Sequence, residues 1–259
     1  MSVTLEGGCR VSLMNEGNPM TNGSMKIWNL VGRATGAKAI SLRVIEFAQG
    51  VSPLIQNSES DEVFYCLERI EGRPPTNGRC KIHIEGKSFD VESQTGLYLK
   101  PGQTMLVENQ GTAPVVFVSV LCPEPAVPNF AHGIPGGLHQ PASFPGIRLA
   151  DREAIPTADR WYRVLVDDEV GSKQVTQFVG SIPPGRAPDH FHQYEEVLFI
   201  LSGTGRMWAG RTTTAIGPGS CVYLPKGQVH CVENTGTDEL RLLGVFYPAG
   251  SPSVRYEKE

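Results

Sequence analysis

The amino-acid sequence predicts an all-β protein in which one folding unit occurs twice. Three observations carry that prediction. Blocks of the first half return in the second, VENQGT at 107–112 as VENTGT at 232–237, SDEVFYCLE as YEEVLFILS, and YLKPGQTMLVEN as YLPKGQVHCVEN, and repetition on this scale redefines the whole fold. The 29 glycines and 20 prolines cut the chain into short β-prone runs bounded by turns. Long amphipathic helical patterns are missing. At 259 residues there is chain enough for two cores of ordinary size. We place an N-terminal unit at 1–122, a Pro- and Gly-rich inter-domain connection at 123–156 and a C-terminal unit at 157–259.

The N-terminal unit opens on MSVTLEGGCRVSL, which has no basic region followed by an apolar one and so does not read as a leader. Aligning the repeats sets Glu62 opposite Glu196 and Met105 opposite His230, with Gln56 and Ser58 where His190 and His192 stand in the second copy. A carboxylate is kept and the imidazoles are lost. Neither an amide, a hydroxyl nor a thioether is a convincing replacement at a first-row transition ion. His83, in KIHIEG, has no partner at ligand spacing. The first unit is therefore expected to hold no metal. The connection, rich in Pro and Gly, is expected to run extended over the surface.

The chemistry lies in the C-terminal unit. In PGRAPDHFHQYEEVLFILSG, His190 and His192 are two residues apart and share one side of a strand. Glu196 keeps that parity, but an unbroken strand would carry it about 20 Å beyond His190 at ~3.3 Å per residue, too far to share an ion. The chain must bend, and Gln193-Tyr194-Glu195 is a polar interruption before VLFIL resumes a β-prone run expected to return alongside the first. His230 follows the turn containing Pro225 and Gly227 and opens a further strand. Three imidazoles and a carboxylate suit Mn, Fe, Co, Ni, Cu or Zn better than Ca or Mg, which prefer oxygen shells. An ion of five or six coordination would keep one or two positions open, as a catalytic site requires.

These residues resemble the cupin superfamily. Its first motif, G, spacer, HxH, three or four residues, E, six residues, G, is matched by Gly185, His190, His192, Glu196 and Gly203. Its second, G, five residues, PxG, two residues, H, three residues, N, is matched by Gly219, Pro225, Gly227, His230 and Asn234. The one departure is a spacer after Gly185 shorter than usual by a residue. The resemblance spans essentially the whole C-terminal unit. It implies two tandem cupin jelly-roll β-barrels, a bicupin, with a metal-binding C-terminal barrel and a degenerate N-terminal one. It also implies one divalent transition-metal ion, Fe or Mn favoured over Ni, Co, Cu or Zn, held by His190, His192, Glu196 and His230. Glu196 would double as the catalytic general base.

What lines the pocket is less constrained. Phe191, Tyr194, Arg206, Trp208 and Tyr223 lie in or beside the motif strands, and Gln177 lies on the preceding VTQFVG strand. Arg206 and Trp208 share a face, so inward they would offer a cation and an aromatic wall to substrate. Outward, they leave the lining to Met207. Gln177, Arg206, Trp208 and Tyr223 are the candidate substrate contacts. Glu195 is placed outside the coordination sphere. Cys231, next to His230, should face away from the metal and is given no role.

The formal net charge of −4, with no basic run to follow a phosphate backbone, speaks against nucleic acid as a partner. No apolar stretch approaches the roughly 20 residues needed to span a bilayer, so no membrane is expected and the default location is cytoplasmic. The six cysteines form no CxxC pair, which favours reduced thiols. Opposite parity to Glu196, Leu198 and Ile200 turns Val197, Phe199 and Leu201 outward. An apolar outer face calls for a cover, either the sister unit or a second subunit in a homodimer. The function expected is a metal-dependent, dioxygenase-type oxidoreductase acting on a small organic substrate. The alternatives are a non-catalytic sensor or storage-like barrel, a hydrolase resembling ureidoglycine aminohydrolases, an isomerase, or an oxalate-degrading enzyme.

Overall fold

Val115–Cys122, VVFVSVLC, is buried along its whole length, and Glu195–Ser202, EEVLFILS, is buried through Ile200. Antiparallel strands with both faces covered belong to the inside of a stack rather than to its surface. The structure, a computed structural model, describes residues 2–125, 130–131 and 143–253, and it places both strands in large sheets lying back to back.

One large sheet runs Gly146–Arg148, Thr95–Leu99, Asp61–Cys66, Val115–Cys122, Ser41–Phe47, Met25–Val31 and Met20–Asn22. Its inner face meets a smaller sheet around Arg79–Ile84 and Thr104–Asn109 through a core that includes Phe47, Phe64, Ile82, Ile84 and Phe117. The other large sheet centres on Glu195–Ser202 between Ser220–Leu224 and Leu240–Tyr247, with Thr176–Ile182 and Arg160–Val166 beyond. It faces a four-stranded sheet of Gly185–Arg186, His230–Asn234, Gly205–Ala209 and Thr212–Ile216. Their shared core includes Phe178, Leu198, Ile200, Met207 and Phe246. All pairings are antiparallel, and the ladders run as open sheets facing one another.

A third apolar layer joins the units. Val44, Val63, Tyr65, Val118 and Val120 from the first large sheet pack with Val179, Val197, Phe199, Leu243 and Val245 from the second. The alternation along Glu195–Ser202 is as the sequence predicted, with Leu198 and Ile200 facing one core and Val197 and Phe199 the other. The cover is the sister unit of the same chain, so this face is not where the expected homodimer would form.

Sheet membership cuts across the expected division at 122 and 156. Val3–Thr4 and Arg10–Leu13 extend the C-terminal sheet by pairing with Ser220–Leu224. In return, Gly146–Arg148 pairs with Thr95–Leu99, and Phe130–Ala131 with Leu54–Gln56. The expected connection thus adds strands to the N-terminal sheets, while its end, in Ile155–Thr157, pairs with Arg160–Val166 of the C-terminal one. Of the expected connection, 126–129 and 132–142 lie outside the described residues. Among the described residues the helices are four short 3-10 turns, and none is long and apolar enough to cross a membrane. The six cysteines are free and buried.

Candidate metal centre

His190 forms a two-residue bridge with His230 through reciprocal backbone hydrogen bonds of 3.0 and 2.8 Å. The chain then bends at 193–194 before the strand Glu195–Ser202 begins. That strand pairs with Ser220–Leu224 and Leu240–Tyr247 rather than returning alongside the His190 segment. The bend is what brings Glu196 back to the imidazoles. The ring centroids of His190, His192 and His230 are 4.5 to 5.2 Å apart. One nitrogen from each lies within 4.8 Å of the others. Glu196 joins through His192, its Oε2 3.3 Å from Nε2.

Backbone carbonyls fix which nitrogens face the centre. His190 Nδ1 is 3.0 Å from the Pro188 carbonyl and His230 Nδ1 is 2.8 Å from that of Gln228. A carbonyl only accepts, so each Nδ1 carries a proton, and in the neutral ring it is then Nε2 that holds the lone pair. Orientation of imidazoles by such outer partners is characteristic of metal ligands. Burial, reinforced by neighbouring His190, lowers the His230 pKa to about 4, which keeps this ring neutral near pH 7. Burial alone would raise the Glu196 pKa. The hydrogen bond from His192 and the charges of the three histidines outweigh it and hold this carboxyl below the usual range. The Gly227 amide donates to the His192 carbonyl at 2.8 Å, so the turn of the second motif ties down a ligand of the first. Imidazole nitrogens converging beside a carboxylate make a donor set that fits a first-row transition ion.

The cluster forms one wall of a cavity of about 140 Å³ whose other walls include Tyr162, Phe178, Ile182, Leu198, Val232 and Leu242. Tyr194 also lines it, stacked on His192 at 4.8 Å and on Phe246 at 4.5 Å. Arg160 is the cation of the lining, and its Nε is held 3.0 Å from Asp159.

The four proposed substrate contacts lie elsewhere. Gln177 is fully buried against Gly96, facing the other unit. Tyr223 points the same way and donates to Glu195 at 2.6 Å. Arg206 is exposed on the outer face of the small sheet. Trp208 lies on that face too, beneath the Arg186 guanidinium at 4.3 Å and donating to Glu233 at 2.7 Å. Met207 is inward but belongs to the core. Phe191 is buried without lining the cavity. Sequence reasoning missed Phe178 and Tyr162. The usable signal was parity, since Phe178 stands beside Gln177 and must face the other way.

In the N-terminal unit the position equivalent to Glu196 is filled differently. Glu62 is fully buried and accepts from Arg43 at 2.5 Å, from Ser119 and from Asn57. His83 is partly exposed on the small sheet, between Ser88 at 2.7 Å and Glu108 at 3.0 Å.

Comparison with known proteins agrees with this geometry. Residues 178–246 match the Cupin domain family. A 60-residue stretch is 40% identical to an uncharacterized protein of Streptomyces coelicolor, covering 23% of this chain and 56% of that one. An 86-residue stretch is 29% identical to Auxin-binding protein 1 of Arabidopsis thaliana, covering 29% of this chain and 43% of that one. The matches thus span about half the length of these curated relatives. Among solved structures, a mutant oxalate decarboxylase of Bacillus subtilis superposes with a TM-score of 0.71 at 16% identity, over 93% of this chain and 78% of that one. A putative glyoxylate-induced protein of Pseudomonas aeruginosa gives 0.73 at 15% identity, over 95% and 91%. At such identities the superpositions speak for the fold. The stretch that carries the histidines thus matches the Cupin domain family, the two-unit fold is shared along nearly the whole length with these solved structures, and the C-terminal three-histidine cluster could hold a metal ion.

Proposed function

We propose that the protein is a metal-dependent oxidoreductase of the dioxygenase type acting on a small organic substrate. The observation that carries this reading is the convergence of His190, His192 and His230, two of them with Nδ1 tied to carbonyls, on the wall of an apolar-lined cavity. Glu196 is proposed as the fourth ligand, and the ion as Fe or Mn. Those residues would hold the ion, which when bound would supply redox and Lewis-acid chemistry toward O2 and a substrate oxygen. Dioxygenation places both atoms of O2 in the product and needs no external reductant.

The rest falls to the side chains. Tyr162, Phe178, Leu198 and Leu242 would hold the apolar body of the substrate and exclude water. Glu196 is held ionised by its histidine neighbours, so Oε2 is ready to take a proton from a substrate hydroxyl. An apolar wall suits a phenol or diketone better than a small dicarboxylate such as oxalate. Metal analysis of protein purified without chelator, followed by oxygen-uptake assays against phenols, diketones and oxalate, tests the reading. Uptake with a phenol or diketone that disappears in His192→Ala supports it, and a metal-loaded protein that consumes no oxygen with any of them overturns it.

A second reading, a binding protein without turnover, is favoured by the similarity to Auxin-binding protein 1. Under it, an apolar ligand would raise the melting temperature of the metal-loaded protein while no oxygen is consumed.

A further inference from the structure

A second cavity, of about 560 Å³, lies between the two units on the far side of Tyr194. It is larger than the one at the histidines, and apart from Tyr194, which lines both, a different set of side chains surrounds it. Arg10, Lys38 and Lys226 bring three cations to its lining, against the single carboxylate of Glu195. That carboxylate is already engaged, accepting from the Lys38 and Ala39 amides at 2.9 and 2.7 Å and from Tyr223 at 2.6 Å. None of the three cations has a carboxylate within salt-bridge distance among the described residues. Arg10 gives one N–H to Ser2 at 2.8 Å, while its Nε is buried without a partner. A buried guanidinium N–H left unpaired is costly, and an anion is what would satisfy it.

The strand exchange creates this arrangement. Arg10 pairs with Tyr223, while Val11, the next residue, faces the C-terminal core. Alternation therefore turns Arg10 toward the N-terminal unit, and Lys38 arrives from that unit across the gap. In a chain whose formal net charge is −4, a concave region carrying three cations and one carboxylate focuses positive potential locally. Tyr194 and Tyr223 supply apolar surface beside the charges, and the volume lies in the range of small-molecule sites.

We propose that this inter-unit cavity is a binding site for a small organic anion, its charged group between Arg10, Lys38 and Lys226 and its apolar body against the tyrosines. The site is separate from the metal centre and does not depend on the oxygenase reading.

Calorimetric titration of the full chain with benzoate tests this, with benzamide as the uncharged isostere. Benzoate is expected to bind saturably and benzamide not to. Affinity should fall with added salt and drop about tenfold or more in Lys38→Gln/Lys226→Gln, where charge-assisted contacts are lost. Arg10→Gln should behave likewise. His192→Ala/His230→Ala should retain benzoate binding. Equal binding of benzoate and benzamide, unchanged affinity in both cation variants, loss of binding in the histidine double variant alone, or no saturable binding would each overturn the proposal.

Discussion

The Arg43 guanidinium lies 2.5 Å from the fully buried Glu62 carboxylate, at the place in the N-terminal unit where the C-terminal unit sets Glu196 beside His192. One unit surrounds its carboxylate with imidazoles, the other with a fixed internal cation, Ser119 and Asn57. Removing one member of a buried pair leaves the other uncompensated. Arg43→Met is therefore expected to destabilise the protein by about 3–5 kcal/mol, and Arg43→Met/Glu62→Leu to be close to neutral. Denaturant unfolding of the single and double variants measures the difference.

Acid should destabilise the metal-free protein through His230. The ring's folded pKa is lowered from 6.5 to about 4 by burial and then by His190, so the unfolded chain binds the extra proton first. Stability is whole above pH 6.5 and falls as pH drops toward 4, by about 3 kcal/mol in all. Glu196, also lowered, adds a loss of the same sign below its ordinary value of 4.5, as acid removes the stability of the ionised form. Melting temperatures measured across this range should show the slope, reduced in His230→Ala.

Tyr223→Phe removes the hydroxyl that reaches across to Glu195. The carboxylate retains the two backbone amides at Lys38 and Ala39, so the loss should be about 1.5–3 kcal/mol, the range for a hydrogen bond to a charged group. Metal content should not change, since Tyr223 faces away from the histidines.

Gly244→Ala would place a methyl group into the Phe178 ring. Phe178 is hemmed in by Tyr162 at 6.4 Å and Phe246 at 6.0 Å, so it can yield only toward the cavity. A destabilisation of about 1–3 kcal/mol is expected from overpacking. Apolar ligands of the metal cavity should bind more weakly, as read by titration of the metal-loaded variant.

The histidine cluster was legible because its signals are local. Two residues of equal parity, a polar break and a Pro–Gly turn each constrain the backbone over a few positions, and together they leave little freedom to His190, His192 and His230. The doubled fold was legible because VEN blocks recur at matching places. The pocket wall was not, because parity yields two faces and nothing in VTQFVG says which one looks inward. Gln177 and Phe178 exchanged places for that reason. The pairing of Arg10–Leu13 with Ser220–Leu224 joins positions some 200 residues apart, and no short-range pattern encodes such a contact.

That pairing has a practical consequence for anyone dissecting the gene. A recombinant fragment starting after the linker would be missing its first two border strands and would present the bare backbone edge of Ser220–Leu224 to solvent, an invitation to intermolecular strand addition. Co-expressing the opening peptide, or fusing it behind Leu240–Tyr247 by circular permutation, would cap that edge.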